Sequence, residues 1–449
     1  MTSLASSFRA RLAATLAVSA LGAGLVAAAC TTEQVVASRL CTPNAYVYCR
    51  CSDRSEGTKQ CNTTGNSFAD CSCGNTGDLT PGGNASFQQV DAGTPDANAI
   101  AAKCAGKLAV LAGSSESLDV YGASYGGAGK WSVSVSTGAA LRSTPRGALV
   151  GTSLIAVWQT RQTLMAWTKF SAGQTALSPP SSMGKYTDTA PDFVGGATGG
   201  TLVYKMLDSN DLSYESYAGA SGWPADDGVN ALVIPNSATV QKTPPMVAPL
   251  GAGYAIAFGS GSDLSAVNVQ TSNGTNWDAS APIAAAQSYN GQTPVIAALT
   301  GPEDLMVAYQ GPDLKLHSVT RMKATGAWNA PILVDTAASP NGAPAIYTLS
   351  EGRAILVWRG SDNTASYSIY TPGSPGTWSN PNGIVASSPR LRTPPAVSGG
   401  NCASDVTVTY VDNTDGNVWI TFYKDSAWVG PYQVPGMTNM TYAGAGEVP

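Results

Sequence analysis

The sequence predicts an all-β fold, a seven-bladed β-propeller with four-stranded blades over residues 104–449. Three recurring features predict it: short strands opened by proline, apolar strands that end in an aromatic residue, and a late tryptophan. Each repeat spans 46–54 residues and holds four short strands separated by turn signals. That period and strand count are typical of propeller blades.

The proline-opened strands set the number of blades. They begin at Thr144-Pro145, Ala190-Pro191, Thr243-Pro244, Thr293-Pro294, Ala343-Pro344 and Thr393-Pro394. With a first unit near Cys104, seven blades result. That first unit lacks its opening strand, and residues 440–444 fall where an eighth opening strand would begin. We therefore expect the C-terminal strand to complete blade one, which closes the ring and removes exposed sheet edges.

The other two features fix the register inside each repeat. The apolar strands end at Trp158, Tyr204, Phe258, Tyr309, Trp358 and Tyr410. The late tryptophans are Trp131, Trp223, Trp277, Trp328, Trp378 and Trp428. Their spacings are 92, 54, 51, 50 and 50 residues, so one repeat has lost its tryptophan between the first two. No helical period recurs, which argues against a helical solenoid.

The N-terminus has the layout of an export signal over residues 1–29. Arg9 and Arg11 precede an uncharged, Ala/Gly-rich run that stops at Cys30. The run Leu25-Val26-Ala27-Ala28-Ala29-Cys30 resembles a bacterial lipobox, in which the cysteine becomes acylated and N-terminal. This resemblance implies lipidation at Cys30, a tether over residues 30–40 and sorting to the outer membrane. Plain secretion and a retained membrane helix are the alternatives.

The nine cysteines divide into three groups. Lipidation of Cys30 leaves eight, an even number suited to an oxidising compartment. Six lie in residues 41–73, and we predict a disulfide module that they hold together: Cys41, Cys49, Cys51, Cys61, Cys71 and Cys73. A zinc knuckle is the alternative, but the close pairs are C-x-C and no histidine is near. This segment resembles Cys-rich modules of surface lipoproteins, and the Gly/Asp/Pro-rich residues 74–103 predict a flexible linker.

The last two cysteines are predicted to join the ends of the ring. Cys104 lies four residues before the second strand of blade one, and Cys402 lies four residues before that of blade seven. Closure makes these blades neighbours. We therefore predict a Cys104–Cys402 disulfide across the seam, provided that the Cα atoms come within about 7 Å.

Composition excludes several classes of function. Charged residues are 12% of the chain and the net charge is −5, so no basic stripe for nucleic acid is expected. The single histidine, His317, excludes a multi-histidine metal site, and a histidine-dependent hydrolase would have to use it. We expect no cofactor and no metal ion. The run from Asp412 to Asn417 has oxygen ligands that Ca²⁺ prefers, although an Asp-Gly hairpin turn explains the same residues.

The repeat resembles the propellers of sialidases and of fucose-binding lectins. The resemblance lies in the aspartate-bearing turns and the tryptophan strands of the repeat. In addition, the run Asn273-Gly274-Thr275-Asn276-Trp277 keeps the Gly-to-Trp spacing of the sialidase turn motif S-x-D-x-G-x-T-W. Ser272 stands where that motif has aspartate, and the arginines do not fall at matching blade positions. The resemblance therefore implies the architecture only, and it brings no catalytic or ligand residues.

Six residues at the ends of second strands are candidates for ligand binding. They are the aromatic residues Trp158 and Trp358 and the polar residues Gln159, Lys205, Gln310 and Arg359. Aromatic faces beside hydrogen-bonding side chains suit sugars. The alternative is that these recurring positions pack between blades.

These observations predict a monomeric lipoprotein of the bacterial outer membrane or cell surface, held to the membrane by its lipid anchor only. Its propeller would bind a glycan or a surface protein. The alternatives are a structural or assembly lipoprotein and a glycan-acting, sialidase-like enzyme.

Overall fold

A computed structural model describes the chain from residue 46 onward with internal gaps. The described residues are 46–50, 56–60, 62–64, 67–69, 88–91, 103–115, 119–127, 130–137, 139–207, 209, 211–224, 232–235, 243–260, 266–288, 292–335, 340–373, 376–379, 382–383, 389–400, 402 and 404–449. Lipidation at Cys30, the signal segment and the tether lie outside them, as do the side chains of the six module cysteines. No helix among the described residues is long and apolar enough to cross a membrane.

The chain separates into two compact units, residues 1–84 and 85–449. In the first, β1 (Tyr46–Arg50) and β2 (Glu56–Gln60) form an antiparallel hairpin. The second unit is the propeller, whose seven sheets confirm the predicted fold class.

Blade one combines strands from both ends of the propeller. Its sheet has the order β3-β6-β5-β4-β32. The strands are β3 (Gln88–Asp91), β4 (Leu108–Gly113), β5 (Asp119–Gly127), β6 (Lys130–Thr137) and β32 (Tyr442–Glu447). Because β3 pairs with β6, the blade extends into residues 74–103, where we expected only a linker.

Blades two to seven are each built from consecutive strands with the first strand innermost. Blades two and three consist of β7 (Arg146–Val150), β8 (Ser153–Gln159), β9 (Leu164–Ser171), β10 (Ser181–Tyr186), β11 (Asp192–Gly195), β12 (Gly199–Lys205), β13 (Leu212–Ala218) and β14 (Leu232–Val233). Blades four and five consist of β15 (Met246–Leu250), β16 (Gly253–Ser260), β17 (Ala266–Ser272), β18 (Ala281–Gln287), β19 (Val295–Ala298), β20 (Glu303–Gln310), β21 (Leu316–Met322) and β22 (Ile332–Asp335). Blades six and seven consist of β23 (Ala345–Thr348), β24 (Ala354–Arg359), β25 (Ala365–Thr371), β26 (Thr377–Trp378), β27 (Asn382–Gly383), β28 (Ala396–Gly399), β29 (Val406–Val411), β30 (Val418–Lys424) and β31 (Ala427–Gln433). A 3₁₀ turn, η1 (Ser350–Gly352), joins β23 to β24.

Each blade packs on both neighbours because side chains alternate along a strand. In β24, Ile355 and Val357 pack in the core shared with blade seven. Leu356 and Trp358 pack in the core shared with blade five. The second strands are buried on both faces, which explains why they are continuous apolar runs rather than alternating ones.

The late tryptophans join neighbouring blades. Trp378 of blade six donates its indole N–H to the Ser318 hydroxyl of blade five at 2.8 Å. Trp428 of blade seven packs edge-on against Tyr367 of blade six, with ring centroids 5.0 Å apart. The tryptophan of one blade therefore packs on the third strand of the preceding blade.

Blade two has Leu177 where the other repeats have tryptophan. The next residue, Ser178, donates its N–H to the Lys169 carbonyl, as Asn329 does to Thr320 after Trp328. Leu177 lines a small apolar cavity of about 20 Å³ between blades one and two. The lost tryptophan of the sequence pattern is thus a leucine, and the packing there is incomplete.

The C-terminal strand closes the ring. β32 pairs antiparallel with β4 from Tyr442↔Gly113 to Glu447↔Leu108, and it contacts the inner strands β28 and β7 of its two neighbours. The fit requires glycine, since a Cβ on Gly444 would lie 2.8 Å from the Pro145 carbonyl oxygen. Closure of blade one by the C-terminal strand, predicted from the sequence, is confirmed.

A disulfide also crosses the seam. Cys104 and Cys402 are 298 residues apart in sequence, their Cα atoms are 5.0 Å apart, and their sulfurs are bonded. The buried Glu447 of β32 accepts hydrogen bonds beside it, from the Cys402 N–H at 2.9 Å and from the Ser404 hydroxyl at 2.8 Å. Blades one and seven are therefore joined covalently and by a buried carboxylate.

We expect Trp378→Leu to lower the free energy of unfolding by about 2 kcal/mol, because it removes a hydrogen bond to a buried hydroxyl and leaves space beside Tyr370. Ser318→Ala, which removes only the hydrogen bond, should cost about 1 kcal/mol. Urea denaturation measures both. Equal stabilities of wild type and Trp378→Leu would contradict the proposed role of the tryptophan.

A chain that ends at Thr441 lacks β32 and should form oligomers, because β4 then presents an unpaired edge at the centre of the ring. Light scattering after size exclusion, together with far-ultraviolet circular dichroism, measures this. A chain lacking only the exposed Pro449 is the control and should behave as wild type. A monomeric, natively folded chain without β32 would show that closure is dispensable.

Candidate functional site

One face of the ring carries the second-to-third-strand turns, and we call it the turn face. In blades two, three, five, six and seven these turns are residues 160–163, 206–211, 311–315, 360–364 and 412–417. Because first and second strands are antiparallel, the beginnings of the inner strands lie on this same face. All four polar candidates at the strand ends therefore lie on the turn face.

Aspartates shape these turns by accepting backbone hydrogen bonds. Asp313 accepts the Lys315 N–H at 3.1 Å, and Asp362 accepts the Thr364 N–H at 3.0 Å. In blade seven, Asp412 and Asp415 accept the N–H groups two residues on, at 2.7 and 2.8 Å. This pattern is the Asx-turn, and it accounts for the residues that we weighed as a Ca²⁺ loop.

Two of the predicted ligand residues are core residues. Trp158 is 0% exposed and donates its indole N–H to the Ala139 carbonyl at 2.9 Å. Trp358 is 1% exposed within the core shared with blade five. Neither ring has a free face for a sugar, so their assignment as ligand residues was wrong. The physical reason is that the second strands are buried on both faces, so the aromatic residues at their ends pack between blades.

Three of the polar candidates hold neighbouring segments together. The Gln159 side chain donates to the Thr187 carbonyl at 2.7 Å, and Gln310 donates to the Leu314 carbonyl at 3.1 Å. Lys205 makes a 2.8 Å ion pair with Asp188. All three residues are 3–4% exposed. Their hydrogen-bonding capacity is used within the fold, so they are poorly placed to meet a ligand.

Arg359 differs from these three because it is half-buried and incompletely paired. It follows Val357 at the alternate position of β24 and so faces blade seven. One terminal N–H donates to the Asn363 side-chain oxygen at 2.5 Å, while the buried Nε has no hydrogen-bond partner. Burial lowers the pKa of the Arg359 guanidinium below its ordinary value. This donor is therefore poorly solvated as well as unpaired.

Trp419 lies on the blade seven side of the interface between blades six and seven, and Arg359 lies on the blade six side. Trp419 pairs with Tyr410 across β29 and β30, and both rings belong to the core shared by blades six and seven. The Trp419 ring is half-buried, and its indole N–H is buried without a hydrogen-bond partner. The equivalent cross-strand positions hold Ala166, Ser213, Asn268, His317 and Ser366. Our sequence reasoning missed Trp419, although an aromatic residue at the start of a third strand is unusual in these repeats.

Charged side chains surround the mouth of the groove at this interface. Arg390 is exposed in the segment that enters blade seven, and it forms a backbone bridge with Thr364. Hydrogen bonds from Thr364, and then the Arg390 charge, lower the pKa of Asp362. We define the blade 6/7 groove as Arg359, Asn363, Asp362, Arg390 and Trp419. It combines an aromatic ring, cations and acceptors with two buried N–H donors that have no hydrogen-bond partner.

His317 occupies a comparable position in blade five. Its Nε2 lies 2.9 and 3.1 Å from the two carboxylate oxygens of Asp313, and its ring stacks on Tyr309. The carboxylate fixes the orientation of the ring. Burial is the largest single influence on the pKa of Asp313 and raises it, but hydrogen bonding with His317 and with the Lys315 N–H together outweighs burial, so the pKa lies below its ordinary value.

The inner strands contribute one buried carboxylate near the turn face. Asp192 begins β11, accepts the Val247 N–H at 2.7 Å and lies 3.9 Å from the Arg146 Nε. Burial raises the pKa of Asp192 to about 6, although Arg146 and the backbone hydrogen bonds lower it in part. It ties the inner strand of blade three to that of blade four.

Comparison with known proteins finds similar propellers at low identity. No protein-family profile matches the chain, and no curated protein matches it. AofleA from Arthrobotrys oligospora is 12% identical with a TM-score of 0.49, over 75% of this chain and 96% of that one. The fucose-specific lectin from Aleuria aurantia is 15% identical with a TM-score of 0.44, over 66% and 95%.

An enzyme appears among the similar structures as well. Hydrazine synthase from Kuenenia stuttgartiensis is 11% identical with a TM-score of 0.41, over 63% of this chain and 77% of that one. At such values the fold assignment rests on the seven sheets of this chain. The Aleuria lectin is described as six-bladed, whereas this propeller has seven blades.

We expect the ionisation of Asp192 to lower the free energy of unfolding as the pH rises from about 4 to about 6. Its pKa is raised in the folded state, so the folded chain keeps a proton that the unfolded chain has lost, and this advantage disappears above pH 6. Relative to Asp192→Asn, which keeps an acceptor for Val247, wild type should lose about 3 kcal/mol across this range. Denaturation midpoints at several pH values measure it. Parallel pH profiles for the two chains would contradict the raised pKa.

Proposed function

We propose that this protein is a lipid-anchored surface protein of a bacterial outer membrane whose propeller binds glycans in the blade 6/7 groove. The anchor would be the acylated Cys30, as the lipobox-like sequence predicts. The groove supplies the binding chemistry. The observation that carries the proposal is that the Arg359 Nε and the Trp419 indole nitrogen, on adjacent blades at one interface, are both buried without a hydrogen-bond partner.

An unpaired buried donor is unfavourable by about 1–3 kcal/mol, so a ligand that brings an acceptor gains affinity by pairing with it. Sugars offer many acceptor oxygens, in hydroxyl groups and in the ring. Arg359 and Trp419 are both partly exposed, so a ligand at the groove reaches their side chains, and small side-chain rotations would bring the buried N–H groups to it. Two donors on opposite walls favour a ligand that is rich in acceptors on both sides.

The surroundings of these donors also suit a sugar. The partly exposed Trp419 ring offers an apolar surface for C–H faces, and Asp362 and Asn363 add acceptors for hydroxyl groups. Binding sites for small polar ligands commonly combine an aromatic wall with a few oriented polar groups. A protein partner would contact a wider area of the turn face, in which this groove would have no special role.

Binding of the full chain to a glycan array, followed by calorimetry on the best ligand, tests the proposal. Arg359→Ala and Trp419→Phe should each weaken binding about tenfold or more, because each removes one donor. Trp419→Phe keeps an aromatic ring in the core and so preserves the fold. Arg161→Ala, an exposed arginine of the blade two turn, is the matched control and should bind as wild type.

Two results would overturn the proposal. One is wild-type affinity in both Arg359→Ala and Trp419→Phe, which would place any glycan elsewhere. The other is an array without a single bound glycan from a natively folded chain, which would favour the structural or protein-binding alternatives.

A further inference from the structure

We propose that the seam of the ring becomes a binding site for a thiophilic divalent cation, of the Zn²⁺ or Cd²⁺ type, when the Cys104–Cys402 disulfide is reduced. The ligands would be the two cysteine sulfurs and the carboxylate of Glu447. This site is separate from the blade 6/7 groove, and it does not depend on glycan binding.

The three ligand atoms are already gathered. One sulfur from each cysteine and one Glu447 oxygen lie within 4.8 Å of one another. Zinc binds cysteine sulfur at about 2.3 Å and carboxylate oxygen at about 2.0–2.2 Å, so two ligands of one ion lie at most about 4.6 Å apart. At tetrahedral angles two sulfurs on one ion lie about 3.8 Å apart. This is farther than two bonded sulfurs, so the sulfurs must move apart after the disulfide is broken to admit the ion.

Glu447 is held in place by the surrounding protein. Its two oxygens accept hydrogen bonds from the Cys402 N–H and from the Ser404 and Thr407 hydroxyls. One oxygen lies 2.6 Å from the Cys402 sulfur. Hydrogen bonds of this kind orient a metal-binding carboxylate before the ion arrives.

Two of the three proposed ligand residues are buried away from solvent. Cys104 and Glu447 are each 1% exposed, while Cys402 is half-buried and gives an ion a route to the sulfurs. Three protein ligands leave the fourth tetrahedral position to water, which is a common arrangement for zinc. Thiolates favour Zn²⁺ and Cd²⁺ over Ca²⁺ or Mg²⁺.

The chemistry requires a reductant, which a dithiol provides. Its two thiols transfer two electrons and two protons to the disulfide, so the S–S bond breaks, two cysteine thiols form and the dithiol becomes a cyclic disulfide. Binding of the cation then releases the two thiol protons, and both sulfurs coordinate as thiolates. The ion would join blade one to blade seven in place of the covalent bond, because Cys104 and Glu447 belong to blade one and Cys402 to blade seven.

Titration of the reduced full chain with Cd²⁺ in the absence of oxygen tests this site, with the thiolate-to-cadmium charge-transfer band as the readout. Other cysteines of the chain bind Cd²⁺ as well, so the comparison is with Cys104→Ser/Cys402→Ser, which keeps all of them. Wild type should bind one more equivalent of Cd²⁺ than this variant. Glu447→Gln keeps both cysteines and should weaken that equivalent by about 10–100-fold.

Near-ultraviolet circular dichroism is recorded at each step of the titration. The reduced, Cd²⁺-loaded wild-type chain should have the spectrum of the oxidised chain. Three outcomes overturn the proposal: equal Cd²⁺ stoichiometry in wild type and the double serine variant, unchanged affinity in Glu447→Gln, or loss of the native spectrum in the loaded chain.

Discussion

The whole propeller depends on one pairing, that of the last strand with the first unit of the ring. β32 supplies the inner strand that blade one lacks, and it lies between the inner strands of blades seven and two. A ring of blades has no free sheet edge at its centre only when this pairing is made. The Cys104–Cys402 disulfide and the hydrogen bonds of Glu447 also join blades one and seven at this seam. On the chain-entropy account, a disulfide that closes so long a loop constrains the unfolded chain by about 6 kcal/mol.

The same alternation of side chains that packs the blades also creates the grooves. Residues at the end of a second strand face the next blade, and the start of a third strand faces the preceding one. In blades two and three, the side chains at the ends of the second strands are paired: Gln159 donates to the Thr187 carbonyl, and Lys205 pairs with Asp188. Between blades six and seven these positions hold Arg359 and Trp419, whose buried N–H groups remain unpaired. The proposed binding site therefore lies where one repeat departs from the pattern of the others.

The periodic features were accessible to sequence reasoning because a repeat shows the same signal several times. Blade number, strand order and closure by the C-terminal strand all follow from the spacing of prolines and aromatic residues. Burial of Trp158 and Trp358 was not accessible, since an aromatic residue at a strand end fits a ligand wall and an interblade core equally well. Trp419 was missed because its significance depends on the packing of blade seven against blade six, which the pattern of a single repeat does not show. β3 was missed because Gln88–Asp91 has no apolar pattern, and its strand is defined by backbone pairing with β6.

Native-state amide hydrogen exchange tests most directly whether the ring is one body closed by its last strand. If it is, the paired amides of β32 and β4 open only with the whole propeller, and they should exchange as slowly as those of a central strand such as β20. The oxidised chain is the sample, because the seam disulfide belongs to the closed ring. Exchange of the β32 amides at the rate of a frayed terminus, while β20 stays protected, would contradict closure and leave blade one as a separate, incomplete sheet.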